Sequence, residues 1–345
     1  MKFKQCLSFD DVLLIPKMSD ILSRSEIDTS IDLSDCISLS LPVISSPMDT
    51  VTESSMASAM DRSGGMGIIH RYNTIEDQCT IVRSSHNAGA HNVGAAIGVS
   101  GDYIERARAL EKSGATMLCI DIAHGHHTLM RHALTTLRNT LGHDIHIMAG
   151  NVATREGYED LARWGASSVR VGIGGGSICS TRVQTGHGVP TFQSVLDCAE
   201  SEMINEVPII ADGGIKNSGD IVKALAAGAD AVMIGSLISG TDESPGEKIT
   251  RDGLIYKEYR GMASSRAQLN WRGRVASKEG VAALVPYKGP VEEILKNLEA
   301  GIKSGLSYTG CKSIPRFQAK CEMIIQTSAG IVESNTHVFS RGLKL

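Results

Sequence analysis

A cysteine in a glycine-rich loop is the residue best suited to covalent chemistry in this sequence. Cys179 stands in Gly172-Ile-Gly-Gly-Gly-Ser-Ile-Cys-Ser-Thr-Arg182. A thiol attacks as the thiolate, which needs access and a polar neighbourhood, and a loop of this kind offers both. Cys119, inside the apolar run Met117 to Ile122, reads instead as a small buried hydrophobe. Two further segments, Asp212-Gly213-Gly214 and Gly235-Ser236, place glycines where backbone N–H groups can approach an anion. A phosphate is therefore expected on Ser177, Gly214, Gly235 and Ser236. Asp212 makes a poor phosphate neighbour and is assigned to sugar hydroxyls. Met48, Asp49, His70, Arg71, Asp121 and Asn151 are polar or flexible residues that also follow apolar runs. Asp121 and Asn151 each read either as ligand contacts or as caps of the helices that follow.

What positions these residues is a series of eight short apolar, β-rich runs. They are Pro42 to Met48, Gly65 to His70, Gly94 to Val99, Met117 to Ile122, Ile145 to Asn151, Ser168 to Ile173, Pro208 to Gly214 and Ala231 to Ser236. Continuous apolar strands separated by amphipathic segments are what a parallel sheet covered by helices requires, because both faces are buried. A phrase recurs before three of them: Lys112-Ser-Gly-Ala-Thr116, Arg163-Trp-Gly-Ala-Ser167 and Ala227-Gly-Ala-Asp230. In each, the glycine ends a helix at a position needing left-handed backbone. Eight such units predict a (β/α)8 barrel, a TIM barrel in one domain. An open doubly wound sheet would need a glycine fingerprint at its first turn, and Ser46-Pro-Met-Asp-Thr50 is not one. Barrel chemistry gathers at the C-terminal ends of the strands, so the scattered polar residues become one site.

Composition excludes other classes. The 345 residues are 42% hydrophobic and 21% charged with a net charge of −4, and no run of like charge suggests a nucleic-acid surface. No apolar run approaches the ~18 residues of a membrane helix, and the amino terminus lacks a signal-peptide core, so a cytoplasmic protein is expected with neither nucleic acid nor membrane as partner. The eight cysteines show no C-x-x-C pair or zinc spacing.

The motifs together resemble the IMP dehydrogenase/GMP reductase family. They are Leu7-Ser-Phe-Asp-Asp-Val-Leu-Leu-Ile-Pro16, Met48-Asp-Thr-Val-Thr-Glu53, Asp121-Ile-Ala-His-Gly-His126, Ala149-Gly-Asn-Val152, Gly176-Ser-Ile-Cys-Ser-Thr-Arg182, Ala211-Asp-Gly-Gly214, Tyr259-Arg-Gly-Met262 and Thr327-Ser-Ala-Gly-Ile331. The resemblance implies a homotetramer acting on a purine nucleotide monophosphate, GMP or IMP, with a nicotinamide cofactor. Cys179 would attack purine carbon 2. Met48, Gly213, Tyr259, Gly261, Met262 and Ala263 would join the phosphate residues and Asp212 around the substrate. Arg71, Asp121, Ile122, Ala123, Asn151, Gly172, Met262 and Tyr308 would face the cofactor. A monovalent cation, potassium, would rest on carbonyls of Gly174, Gly176 and Cys179, aided by Glu333 and Ser334 in a tail, about 325–345, from a neighbouring subunit. The CBS domains that many family members carry after strand two have no room between Gln78 and Gly94. Three positions depart from the family pattern: Gly175 stands where proline is usual, Ser180 where threonine is usual, and Thr191 where many members have glutamine.

The resemblance leaves two activities. A dehydrogenase must activate water, for which the family uses an Arg-Tyr pair on a long flap. Here the flap, about 261–285, is short and holds Arg266, Arg272 and Arg274 but no such pair. GMP reductase with NADPH is therefore expected, with IMP dehydrogenase using NAD as the alternative, and a non-catalytic nucleotide-binding barrel as a third. Thr181 and Glu279 are the expected proton relay. Thr52-Glu53, His124-Gly-His126, Arg260 and the 328–334 tail look more like dehydrogenases.

Overall fold

A computed structural model describes residues 3–275 and 279–334. Eight strands close into a parallel barrel in which every strand is flanked by its neighbours in sequence. They are β1 (Val43–Ser45), β2 (Met66–Ile69), β3 (Val93–Ile97), β4 (Met117–Asp121), β5 (His146–Val152), β6 (Ser168–Val171), β7 (Ile209–Asp212) and β8 (Ala231–Ile234). Register runs from Ile44 beside Met66 round to Val171 beside Ala211, and Val232 beside Val43 joins last to first. All eight runs read from the sequence form these strands. Several leave the sheet earlier than expected. β1 stops at Ser45 because Pro47 has no N–H to continue a ladder, and Met48 N–H turns back to the Ser46 carbonyl.

The barrel is covered by α1 (Ser54–Arg62), α2 (Ile75–Asn87), α3 (Tyr103–Lys112), α4 (Thr128–Leu141), α5 (Arg155–Arg163), α6 (Thr191–Ala199), α7 (Ser218–Ala226) and α8 (Val291–Ser307). Only α2 stands between β2 and β3. Their ends follow the local chemistry. Thr154 Oγ1 accepts from Gly157 N–H to start α5, and Asn217 Oδ1 accepts from Asp220 N–H to start α7. The repeated phrase stops helices as expected: Gly114, Gly165 and Gly228 have φ of 99°, 106° and 104°.

Three additions decorate this frame. A hairpin of Ile31–Ser34 and Ile37–Leu39 precedes the barrel, and Val12–Leu14 pairs antiparallel with Met323–Ile325. Between β8 and α8, Ile249–Arg251, Leu254–Arg260 and Ala282–Pro286 form an antiparallel sheet. The expected flap is the excursion from its second to its third strand, carrying one short helix, Ser265–Arg272. Its last residues, from Ala282 onward, are strand rather than flap. Among the described residues no helix is long and apolar enough to cross a membrane.

The core tolerates few polar groups, and one of them titrates in a useful range. His146 begins β5, is buried, and has Nε2 2.8 Å from Ser168 Oγ. Burial, helped by the Arg138 charge, pushes its pKa down to about 4. The folded state therefore refuses a proton that the unfolded chain takes below about pH 6.5. His146 costs stability progressively as pH falls from 6.5 to about 4. Asp230, which burial raises to about 6, acts in the opposite direction below that pH. With the two shifts opposed, we expect the urea midpoint of His146→Gln to rise relative to that of the wild type as pH falls from 6.5 to about 4. An unchanged slope in the variant would assign the acid sensitivity elsewhere.

Candidate active site

A cavity of about 470 Å³ opens at the C-terminal ends of the strands. Into its wall the fold brings Met48, Arg71, Asp121, Ile122, Ala123, Asn151, Gly172, Gly174, Gly176, Ser177, Cys179, Thr181, Asp212, Gly213, Gly214, Gly235, Ser236, Tyr259, Gly261, Met262, Ala263 and Glu279. Residues up to 231 positions apart in sequence thus share one chamber.

Its floor is organised by a residue that sequence reasoning missed. Arg170 lies in mid-β6, only 5% exposed. Its Nη1 donates to Asp121 Oδ1 and its Nη2 to Asp212 Oδ2, both at 2.8 Å. Asn151 Nδ2 donates to the same Asp212 oxygen at 2.8 Å and to the Gly172 carbonyl at 2.8 Å. Neither Asp121 nor Asn151 caps the helix that follows it: His127 caps α4 and Thr154 caps α5. The capping interpretation is thereby removed for both. Arg71 closes one side, Nη2 donating to the Asp121 carbonyl at 3.1 Å, while its buried Nε has no hydrogen-bond partner.

The opposite end has the form of an anion cradle. Gly213 and Gly214 both have positive φ, at 94° and 81°, which L side chains rarely adopt. A Cβ at Gly235 would lie 2.8 Å from Ser46 Oγ and 3.1 Å from the Tyr259 hydroxyl. Only glycine leaves that space open. Ser46 Oγ is itself buried without a partner. Burial pushes the Tyr259 phenol up to about 12, although the Ser177 hydroxyl pulls the other way, so it remains a donor at neutral pH.

Between the two ends stands the cysteine. Cys179 is exposed, and its Sγ donates to Thr181 Oγ1 at 3.2 Å. Thr181 Oγ1 donates in turn to Glu279 Oε2 at 3.0 Å. Glu279 is held by backbone pairing: Ser180 N–H bonds the Glu279 carbonyl, and Val281 N–H bonds that of Ile178. Thiol, hydroxyl and carboxyl form one line across two segments 98 residues apart.

The match to known proteins agrees with this geometry. The model of the IMP dehydrogenase / GMP reductase domain matches residues 6–337. The chain belongs to the IMP dehydrogenase/GMP reductase family. Inosine-5'-monophosphate dehydrogenase of Nitrosopumilus maritimus is 36% identical over 98% of this chain and 99% of its own. GMP reductase of Leishmania major is 33% identical, with 97% of each covered. Among solved structures, a cysteine-to-alanine variant of GMP reductase from Trypanosoma brucei, in complex with guanosine 5'-monophosphate, superposes with a TM-score of 0.92 at 31% identity, covering 97% of this chain and 98% of that one. The protein is accordingly an oxidoreductase of this family, acting in purine nucleotide metabolism.

Three residues expected at a family site lie outside this cavity. Tyr308 caps the C-terminal end of α8, 61% exposed, and its carbonyl accepts from Lys17 N–H. As a barrel helix runs back from the catalytic face, its last residue cannot reach a cofactor in its own chain's cavity. Glu333 and Ser334 end a short helix, Ser334 Oγ lying 3.0 Å from Gln326 Oε1. The tail beyond them, 335–345, falls outside the described residues.

The residues present fit a purine nucleotide and a nicotinamide. Glycines and the buried Ser46 hydroxyl line one end, and Arg71, whose Nε lies 3.8 Å from Asp121 Oδ2, lines the other. Of the loop expected to hold a cation, Gly174, Gly176 and Cys179 line the cavity, and Gly176 O accepts from Cys179 N–H.

Asn151 separates a structural from a functional role for this floor. Asn151→Ala should cost about 1 kcal/mol of stability, a shift of about 2–4 °C in melting temperature. Purine nucleotide turnover should fall at least about tenfold, because Asp212 loses its aim. A large loss of melting temperature with normal turnover would make Asn151 a scaffold residue only.

Proposed function

We propose that this protein is a GMP reductase, converting GMP to IMP and ammonia at the expense of NADPH. The observation that carries the reading is the hydrogen-bonded line from Cys179 through Thr181 to Glu279. In this reading the GMP phosphate rests on Ser177, Gly214, Gly235 and Ser236, with Tyr259 donating to it, and Asp212 accepts from the ribose hydroxyls. Met48, Gly213, Gly261, Met262 and Ala263 enclose the base. The cofactor occupies the side of Arg71, Asp121, Ile122, Ala123, Asn151 and Gly172.

The Cys179 sulfur adds to purine carbon 2, and its proton passes by Thr181 to the Glu279 carboxylate. The amino group leaves as ammonia once that proton is returned to it, since amide ion is a far poorer leaving group. What remains is a thioimidate joining sulfur to carbon 2. A nicotinamide held on the Arg71 side would supply a hydride to that carbon, and Cys179 would take back the electron pair of the carbon–sulfur bond as it breaks. IMP is released, and the thiolate recovers a proton from solvent.

Dehydrogenase chemistry would need a base for water, and the flap offers little. Arg266 forms a 3.2 Å ion pair with Glu258 and does not line the cavity. Arg274 is exposed and also outside it. The flap helix is short and lies against the barrel rim, Trp271 stacking on Tyr72 with centroids 6.1 Å apart. The family's potassium and homotetramer belong to the same proposal, with Glu333 and Ser334 supplied by a neighbouring copy.

Ammonia release from GMP with NADPH or NADH, set against NADH formation from IMP and NAD, tests the reading. We expect the first to dominate and Cys179→Ala to abolish it while GMP affinity stays within about tenfold. Glu279→Gln should slow ammonia release by about 10²–10⁴, with Thr181→Ala non-additive in the double mutant. Dominant NADH formation from IMP would establish the dehydrogenase instead, and no turnover of either nucleotide would leave a binding protein.

A further inference from the structure

Two of the departures from the family pattern, Gly175 and Thr191, meet in space. A Cβ at Gly175 would lie 2.3 Å from Thr191 Oγ1, so the loop can pass only as glycine. Both residues line a second cavity of about 300 Å³. It shares Gly175, Ser177, Gly214, Ile215 and Ser236 with the first cavity. The shared wall is thus the segment assigned to the nucleotide phosphate, seen from its far side.

The second cavity is equipped for an anion. Thr191 opens the nine-residue α6, and the preceding Pro190 supplies no side-chain cap. The N-terminal end of a helix carries partial positive charge and unsatisfied N–H groups. Thr191 is 4% exposed, and its hydroxyl has no hydrogen-bond partner. A hydroxyl buried in this way is costly unless something binds it. Lys216 and Arg182 bring two positive charges to the lining against one from Asp10. Lys216 Nζ holds Asp10 at 2.7 Å and Arg182 Nη2 holds the Val189 carbonyl at 2.7 Å. Those contacts leave further N–H donors on the Arg182 guanidinium.

We propose that this chamber is a second phosphate site, and that it takes the terminal phosphate of a purine nucleoside diphosphate whose first phosphate rests on the shared wall. The inference builds on the nucleotide reading above. A larger residue at 175 or 191 would fill the chamber and leave room for a monophosphate alone. The protein would then bind GDP as a competitor of GMP, coupling GMP turnover to the level of the diphosphate. Free inorganic phosphate offers the same chemistry and would bind beside GMP rather than against it.

Calorimetric titration of the full chain with GMP, GDP and inorganic phosphate tests this. We expect GDP to displace GMP with a Kd within tenfold of that of GMP. Thr191→Gln, which fills the chamber, should weaken GDP at least tenfold and leave GMP within threefold. Thr191→Val, which keeps the volume and removes the hydroxyl, should weaken GDP several-fold at unchanged melting temperature. Phosphate that binds together with GMP, and loses affinity in both variants, would support the site with the free ion as its occupant. GDP binding more than 100-fold weaker than GMP, with no phosphate bound beside GMP, would overturn the proposal, as would equal losses for GMP and GDP in both variants. Failure of GMP itself to bind would instead sink the nucleotide reading, and this site with it.

Discussion

Two carboxylates at the mouth of the barrel meet across a single buried guanidinium, that of Arg170. Its guanidinium joins Asp121 at the end of β4 to Asp212 at the end of β7. Removing one member of such a buried set strands the rest at a cost of about 3–5 kcal/mol. The arrangement also demands room. A Cβ at Gly150 would lie 2.6 Å from Arg170 Cβ, so β5 must carry glycine where β6 carries arginine. Asn151, the next residue, then reaches Asp212 and the Gly172 carbonyl. Four strand ends are fixed relative to one another by one side chain and its partners. The loop bearing Cys179 leaves from that fixed point two residues after Arg170.

The strands were legible because burial on both faces writes itself as uninterrupted apolar runs, and because Gly114, Gly165 and Gly228 mark where helices must turn back. The cavity residues were legible because strand ends in such a barrel share one face. Arg170 was not. It sits within Ser168 to Ile173, where a single charge in a buried run looks like noise unless it is paired with the aspartates that end β4 and β7. A charge in a fully buried strand needs partners, and that requirement was the available signal. Tyr308 shows the opposite failure. A resemblance carries a residue type but not its place in space, and α8 takes Tyr308 to its C-terminal end, outside the cavity. The stack of Trp271 on Tyr72 depends on a contact between segments 199 residues apart, for which no periodicity exists.

Thr181 and Glu279 raise a different point, because their meeting depends on backbone rather than on side chains. The returning flap strand pairs with the cysteine loop through Ser180 N–H to Glu279 O and Val281 N–H to Ile178 O, and Gly261 N–H bonds Val281 O. Gly280 lies between these bonds, where a Cβ would press to 3.1 Å on Ser264 N and 3.3 Å on Gly261 Cα. Close approach of two glycines therefore sets where the carboxyl stands, and the thiol-to-carboxyl line follows from it.

A flap that admits water to a covalent intermediate must leave its closed position and return in each turnover. Here the backbone bonds that aim Glu279 at Thr181 also return the flap to the cysteine loop, and Trp271 stacks on Tyr72. The Cys179–Thr181–Glu279 line and the returning flap strand are thus one structure. That coupling supports the proposed reductase reading, which keeps a proton donor beside the sulfur and needs no water at carbon 2.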